Sequence, residues 1–241
     1  MKKAFYEFRR LTCDVPPLTA AMLILSVVGM NLLANKSVDT GLDWLAMDGG
    51  ILFSWLVFLM MDIITHTCGP KASTAMSMAA LGANLLMALI FYAASVLPGS
   101  WGESYVEGSE AVINNALDRT FGGTWYIILG SSVAFASSAA INNFLNYAIG
   151  RAVKKKDGFG IFALRSYIST FVAQFADNLI FGLLVSRLFF GWGAAQLFSC
   201  AFLGAVMELV SEIIFSPVGY KISKSILNSR KSGPETAGAA S

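Results

Sequence analysis

Residues 165–181 read R-S-Y-I-S-T-F-V-A-Q-F-A-D-N-L-I-F. Apolar side chains dominate the run, yet Ser166, Thr170, Gln174 and Asp177 recur at intervals of four, four and three. That spacing puts them in one stripe down an α-helix. A helix that is apolar over most of its surface and polar along one line is poorly matched to water. It suits a bilayer, where an amide or carboxylate is tolerated only when it faces a partner or a wet cavity inside the protein.

Working outward, the apolar run containing this stripe extends from about Phe162 to Phe190, and five further runs match it. They cover Pro17 to Asn35, Gly50 to Thr67, Ala72 to Leu97, Gly123 to Gly150, and Ala194 to Phe215. A helix crossing the hydrocarbon layer needs about 20 apolar residues, so the sequence predicts six spans. Of the 241 residues, 56% are hydrophobic and 13% charged. With a mean hydropathy of +0.63, this composition excludes an ordinary water-soluble domain.

The punctuation agrees. Pro16-Pro17 suits a helix start, since proline lacks a donor that would be orphaned there. Gly69-Pro70, Pro98-Gly99 and Gly191-Trp192-Gly193 mark turns, and Ser216-Pro217 is expected to interrupt the last helix. The expected organisation is a cytoplasmic segment at 1–16, a six-span domain at 17–228 and a disordered tail at 229–241. Residues 100–118 read as a solvated acidic loop with room for a short interfacial helix. Met1 to Asp14 lacks the pattern of a cleaved signal peptide.

Lysine and arginine are retained on the cytoplasmic side of short loops. Lys2, Lys3, Arg9, Arg10, Lys71, Arg151, Lys154, Lys155, Lys156, Lys221, Lys224, Arg230 and Lys231 all fall on one side of a six-span arrangement, against Lys36, Arg119 and Arg187 on the other. Both termini are therefore expected in the cytoplasm. A net charge of +2 without a basic stripe argues against nucleic-acid binding. Cys13, Cys68 and Cys200 are too far apart for a metal or redox pair, and no cofactor is expected.

Polar residues inside the other runs extend the stripe. Asp62 and His66 lie one turn apart, Asn31 and Asn84 sit singly, Asn142, Asn143 and Asn146 cluster one turn after Ser138, and Glu208 and Glu212 are again a turn apart. Glu212 reads as near the cytoplasmic interface, and Arg165 as either a headgroup contact or the counter-charge of an acid. Polar positions on most of the helices predict a shared interior cavity rather than separate hydrogen bonds between neighbours. Carboxylates and amides together suit a neutral or cationic heterocycle with several polar edge groups. Asp62, His66 and Glu208 are the candidates for proton handling. An enzyme is disfavoured, because one histidine cannot form H-E-x-x-H and no G-x-S-x-G occurs.

Several of these motifs resemble one family. Asn31-Leu32-Leu33-Ala34-Asn35-Lys36, Gly50-Ile51-Leu52-Phe53, Asp62-Ile63-Ile64-Thr65 with Cys68-Gly69, the 165–181 run, and Glu212-Ile213-Ile214-Phe215-Ser216-Pro217 with Tyr220 resemble the vitamin uptake transporter family of queuosine precursor transporters. The resemblance implies an all-α, integral-membrane six-helix bundle similar to the substrate-binding components of energy-coupling-factor transporters. It also implies uptake of 7-deazaguanine bases across the inner membrane. Asn31, Asp62, Arg165, Gln174 and Asp177 match its motif positions, and with Asn143 and Glu208 they form the expected substrate-binding set. Thr65-His66 stands where the resemblance leads one to expect Thr-Glu. The partners expected are the base and the bilayer, with a homodimer as one way to complete a pathway. The alternative is a binding component that needs a separate ATPase and scaffold.

Overall fold

The computed structural model describes residues 2–33, 36–38, 47–101, 110–122, 125–153 and 158–232. The first helix, α1 (Lys2–Cys13), is amphipathic and meets α2 (Pro17–Leu33) at an angle of 108°. The break falls where Pro16-Pro17 denies the chain two consecutive donors. A two-stranded antiparallel ribbon, β1 (Ser37–Val38) with β2 (Met47–Asp48), pairs Ser37 with Asp48 and Val38 with Met47 and leads into α3 (Ile51–Cys68). At Gly69 the backbone takes φ 89°, a left-handed value natural to glycine, and Pro70 opens α4 (Pro70–Val96).

Among the described residues five more helices follow: α5 (Glu110–Gly122), α6 (Trp125–Ala152), α7 (Phe159–Phe181), the short α8 (Arg187–Phe190) and α9 (Ala194–Ser232). The α7 helix does not run unbroken to Phe190, because a π-helical turn over Gly182–Ser186 intervenes before α8. Helices α2, α4, α6, α7 and α9 surround α3, which packs against all five. Residues 57–65 of α3 are buried without interruption, as a helix enclosed on every side requires.

The outer faces of the surrounding helices are inverted relative to a soluble protein. Leu86 and Leu89 of α4, Phe144 of α6, Ile168 of α7 and Ile214 of α9 are exposed, while Asp62, Asn142, Ser166, Gln174 and Glu212 are buried. This is the distribution a hydrocarbon solvent selects. Among the described residues, four helical stretches are long and apolar enough to cross a membrane: Pro70–Val96, Ile128–Ala152, Phe159–Ser186 and Ala194–Arg230. A fifth is counted if the bent α1–α2 pair forms one span. The second of the six predicted runs coincides with α3, whose apolar part, Leu52–Cys68, is shorter than those four. Its sheath of other helices accounts for a short helix in that position.

Pro217 does not interrupt the last helix, which continues to Ser232. A proline at 217 deprives the Ile213 carbonyl of its usual donor, and the Ser216 hydroxyl lies 3.2 Å from that carbonyl and donates to it. The Tyr167 hydroxyl, 2.6 Å away, then donates to Ser216 Oγ. Near the end of α9, Arg230 reaches back to the carbonyl of Thr67 at 2.8 Å and to that of Asp14, tying α9 to the last turn of α3 and to the turn after α1. Residues 233–241, most of the segment expected to be disordered, lie outside the described residues, as do Lys154, Lys155, Lys156 and residues 102–109.

Candidate functional site

The organising element is α6. Ser131, Ser138, Asn142 and Asn146 are separated by seven, four and four residues, so they share one face, and each bonds to a polar side chain on another helix. At a rise of 1.5 Å per residue, Ser131 to Asn146 covers about 22 Å, much of the thickness of a hydrocarbon layer. The line of contacts joins three groups of residues.

At one end Ser131 donates to Asn31 Oδ1, while Asn31 Nδ2 donates to the Val27 carbonyl at 2.9 Å in its own helix. Beside Asn31 opens a small, partly open cleft, lined by Asn84, Met87, Phe91, Phe121 and Ile128 among others. Asn84 is only 4% exposed, and its Nδ2 is buried with no hydrogen-bond partner. An orphaned amide donor costs about 1–3 kcal/mol, so a group entering the cleft with an acceptor gains an interaction that the protein alone leaves unmade. The α5 helix covers the cleft: Phe121 lies 4.9 Å from Phe91 and 5.0 Å from Trp101 between ring centroids, and Trp101 is anchored by bonds of 2.7 Å to Asn114 and Asp118.

In the middle, Ser138 donates to Asp177 Oδ1 at 2.7 Å. Gln174, one turn along α7, is 1% exposed, and its Nε2 is a second buried donor with no partner.

At the other end lies the densest network. Asp62 is fully buried and accepts from Asn142 Nδ2 at 2.9 Å and Asn146 Nδ2 at 2.8 Å on one carboxylate oxygen. Its second oxygen meets the Ser166 hydroxyl, which also meets Glu212 Oε1. Arg165 donates to Asn146 Oδ1 at 2.7 Å and to the Asn146 carbonyl at 3.2 Å. Its Nη1 is 3.2 Å from His66 Nδ1. The guanidinium fits because residue 150 is glycine: a Cβ there would lie 2.8 Å from Arg165 Cζ.

Asp62, His66 and Arg165 therefore come together, through Asn146. Gln174 and Asp177 sit farther along α7, and Asn31 sits at the cleft. Asn143 lies off this line, accepting from Ser73 at 2.6 Å and from Thr65 at 3.2 Å and donating to Thr74 at 3.2 Å, so it joins α6 to α4 and α3. Glu208 is buried one turn from Glu212. Sequence reasoning missed Ser131, whose one signal is that it lies seven residues before Ser138 on the same helical face. It also read Glu212 as lying near the cytoplasmic interface; the structure shows it fully buried and in contact with Ser166. Among the described residues no three His, Cys, Asp or Glu side chains gather as a metal site.

A family model described as "Putative vitamin uptake transporter" matches residues 48–222, well over half of the chain. No curated protein and no solved structure matches the chain.

Proposed function

Since the chain belongs to the vitamin uptake transporter family, we propose that it takes up a queuosine precursor across the inner membrane. The substrate is a 7-deazaguanine base such as 7-cyano-7-deazaguanine, 7-aminomethyl-7-deazaguanine or queuine. In this reading six helices span the bilayer with both termini in the cytoplasm, which places the Asn31 cleft toward the outside and Asp62 toward the inside.

The observation that carries the proposal is the polar line on α6. It joins the Asn84 cleft, the Asp177–Gln174 pair and the Asp62 network through a shell that is otherwise apolar. A guanine-type base presents an N1–H and an exocyclic amine as adjacent donors, beside a carbonyl acceptor. Asp177 is suited to accept from the donors, and the unpartnered Gln174 Nε2 to supply the donor for the carbonyl. Asn31 and Asn84 receive the base at the entry, where Phe91 and Phe121 provide aromatic faces. Asp62, Arg165 and the two amides between them hold the inner end of the path.

The test is rescue of queuosine in tRNA. Cells lacking both synthesis of the precursors and their own uptake are supplied with each base, with and without this chain, in a host that has no energy-coupling ATPase and scaffold. Rescue that disappears with Asp177→Asn is the expected result. Rescue by Asp177→Asn equal to that of the wild type would remove Asp177 from the site. Rescue only when an ATPase and scaffold are added would turn the chain into a partner-dependent binding component.

A further inference from the structure

Ser166 has one hydroxyl proton and contacts two carboxyl groups, Asp62 Oδ2 on α3 and Glu212 Oε1 on α9. A hydroxyl donates once and accepts through its lone pairs. If it donates to one carboxylate, the oxygen on its other side must bring a proton of its own, or two lone pairs face each other. The geometry points to a single exchangeable proton held between Asp62 and Glu212 through Ser166, and we propose that its movement drives uptake, one proton entering with each base. This inference rests on the uptake reading and adds its energy source.

The neighbouring groups support the placement. The α6 helix faces the pair with the amides Asn142 and Asn146, which are not ionisable. From α7 comes Arg165, a permanent cation, linked to Asp62 through the Asn146 side chain. One guanidinium balances one carboxylate, so the second acid is neutral in a balanced site and adds an uncompensated negative charge when its proton leaves. A lone charge at that depth costs at least about 2.5 kcal/mol.

On α3 itself His66 is the other titratable group. Its Nδ1 lies 3.2 Å from a guanidinium nitrogen that can only donate, so a proton on that ring nitrogen would face a cation. This favours the carboxyl pair over His66 as the proton's site. Glu208 remains as the next acid outward on α9, while α2 carries no ionisable residue, and α4 has only Lys71 at its start and Tyr92 toward its far end.

The lever is mechanical. With the proton present, Ser166 bridges α3, α7 and α9. When the O–H bond of the neutral acid breaks and the proton passes to water at the inner face, two carboxylates confront each other across one hydroxyl. Their repulsion favours separating α9 from α3 and holds the inner end of the path open while the base leaves. Once the emptied path faces outward again, a proton from that side restores the bridge.

The experiment uses the purified full chain in liposomes, with labelled 7-cyano-7-deazaguanine as probe and acid imposed outside. One proton per neutral base sets a limit of about tenfold accumulation per pH unit; accumulation toward that limit, abolished by a protonophore, is expected. Glu212→Gln fixes that acid in an uncharged form, and it should exchange labelled for unlabelled base across the membrane while losing accumulation. Wild-type protein that exchanges base but gains nothing from the gradient overturns the coupling and leaves the uptake reading standing. A folded Glu212→Gln protein that accumulates like the wild type overturns the assignment to this pair. Absence of both exchange and uptake for every precursor overturns the uptake reading, and this inference with it.

Discussion

Two glycine-to-alanine substitutions should move stability in opposite directions. A Cβ at residue 150 would lie 2.8 Å from Cζ, 2.9 Å from Nε and 3.1 Å from Nη1 of Arg165. Carbon atoms settle at about 3.5–4.0 Å, so in Gly150→Ala the guanidinium must retreat by roughly 1 Å. Its bonds now measure 2.7 and 3.2 Å to Asn146 and 3.2 Å to His66, and that retreat carries the longer two out of range. Interhelical hydrogen bonds in membrane proteins average about 0.6 kcal/mol and reach about 1.7. Losing two or three of them outweighs the roughly 1 kcal/mol by which alanine exceeds glycine in a helix once the bonds exceed the average, as those to a charged group do. Gly82, exposed in α4, has nothing within 4 Å of its would-be Cβ, so Gly82→Ala keeps the full gain. Thermal unfolding of the purified proteins in one detergent should show Gly82→Ala up by about 2–4 °C, the shift expected of 1 kcal/mol at this size. Gly150→Ala should melt below wild type, with uptake reduced. Equal stabilisation by both substitutions would refute the account of how Arg165 is held.

Asn84→Leu removes a buried donor that has no partner and fills part of the cleft. It should keep or raise the melting temperature while lowering uptake, and a clear loss of stability would assign Asn84 to packing instead. Ser216→Ala leaves the Ile213 carbonyl without a donor opposite Pro217; a cost of about 1 kcal/mol is expected in the same thermal assay. An unchanged melting temperature would mean that Ser216 does not repair the proline break.

The fold was legible wherever polar residues stood out against apolar runs. The 165–181 stripe and Asp62 announced polar side chains gathered in the interior, because a carboxylate at bilayer depth rarely lacks a partner. Arg165 left two readings open, and its bonds to Asn146 show which group it serves. The full burial of Glu212 was not legible, because Ser216-Pro217 reads as the end of the helix. A serine hydroxyl that covers the carbonyl opposite a proline is a local repair that no propensity scale contains. Ser131 was invisible for a related reason: one serine in an apolar run is ordinary, and only its contact with Asn31, 100 residues away in sequence, gives it meaning. The short α3 could not be told from a lipid-facing span by composition, since a helix buried in protein and a helix buried in lipid are equally apolar.

The central claim is that this chain by itself carries a 7-deazaguanine base along the α6 line. Uptake of labelled 7-cyano-7-deazaguanine into liposomes containing only the purified chain tests it, with Asn142→Leu, which removes a donor to Asp62 from that line, run beside the wild type. The account predicts saturable uptake above empty liposomes for the wild type and a strong reduction for a folded Asn142→Leu protein. Wild-type protein that is folded yet moves no more base than empty liposomes would contradict it.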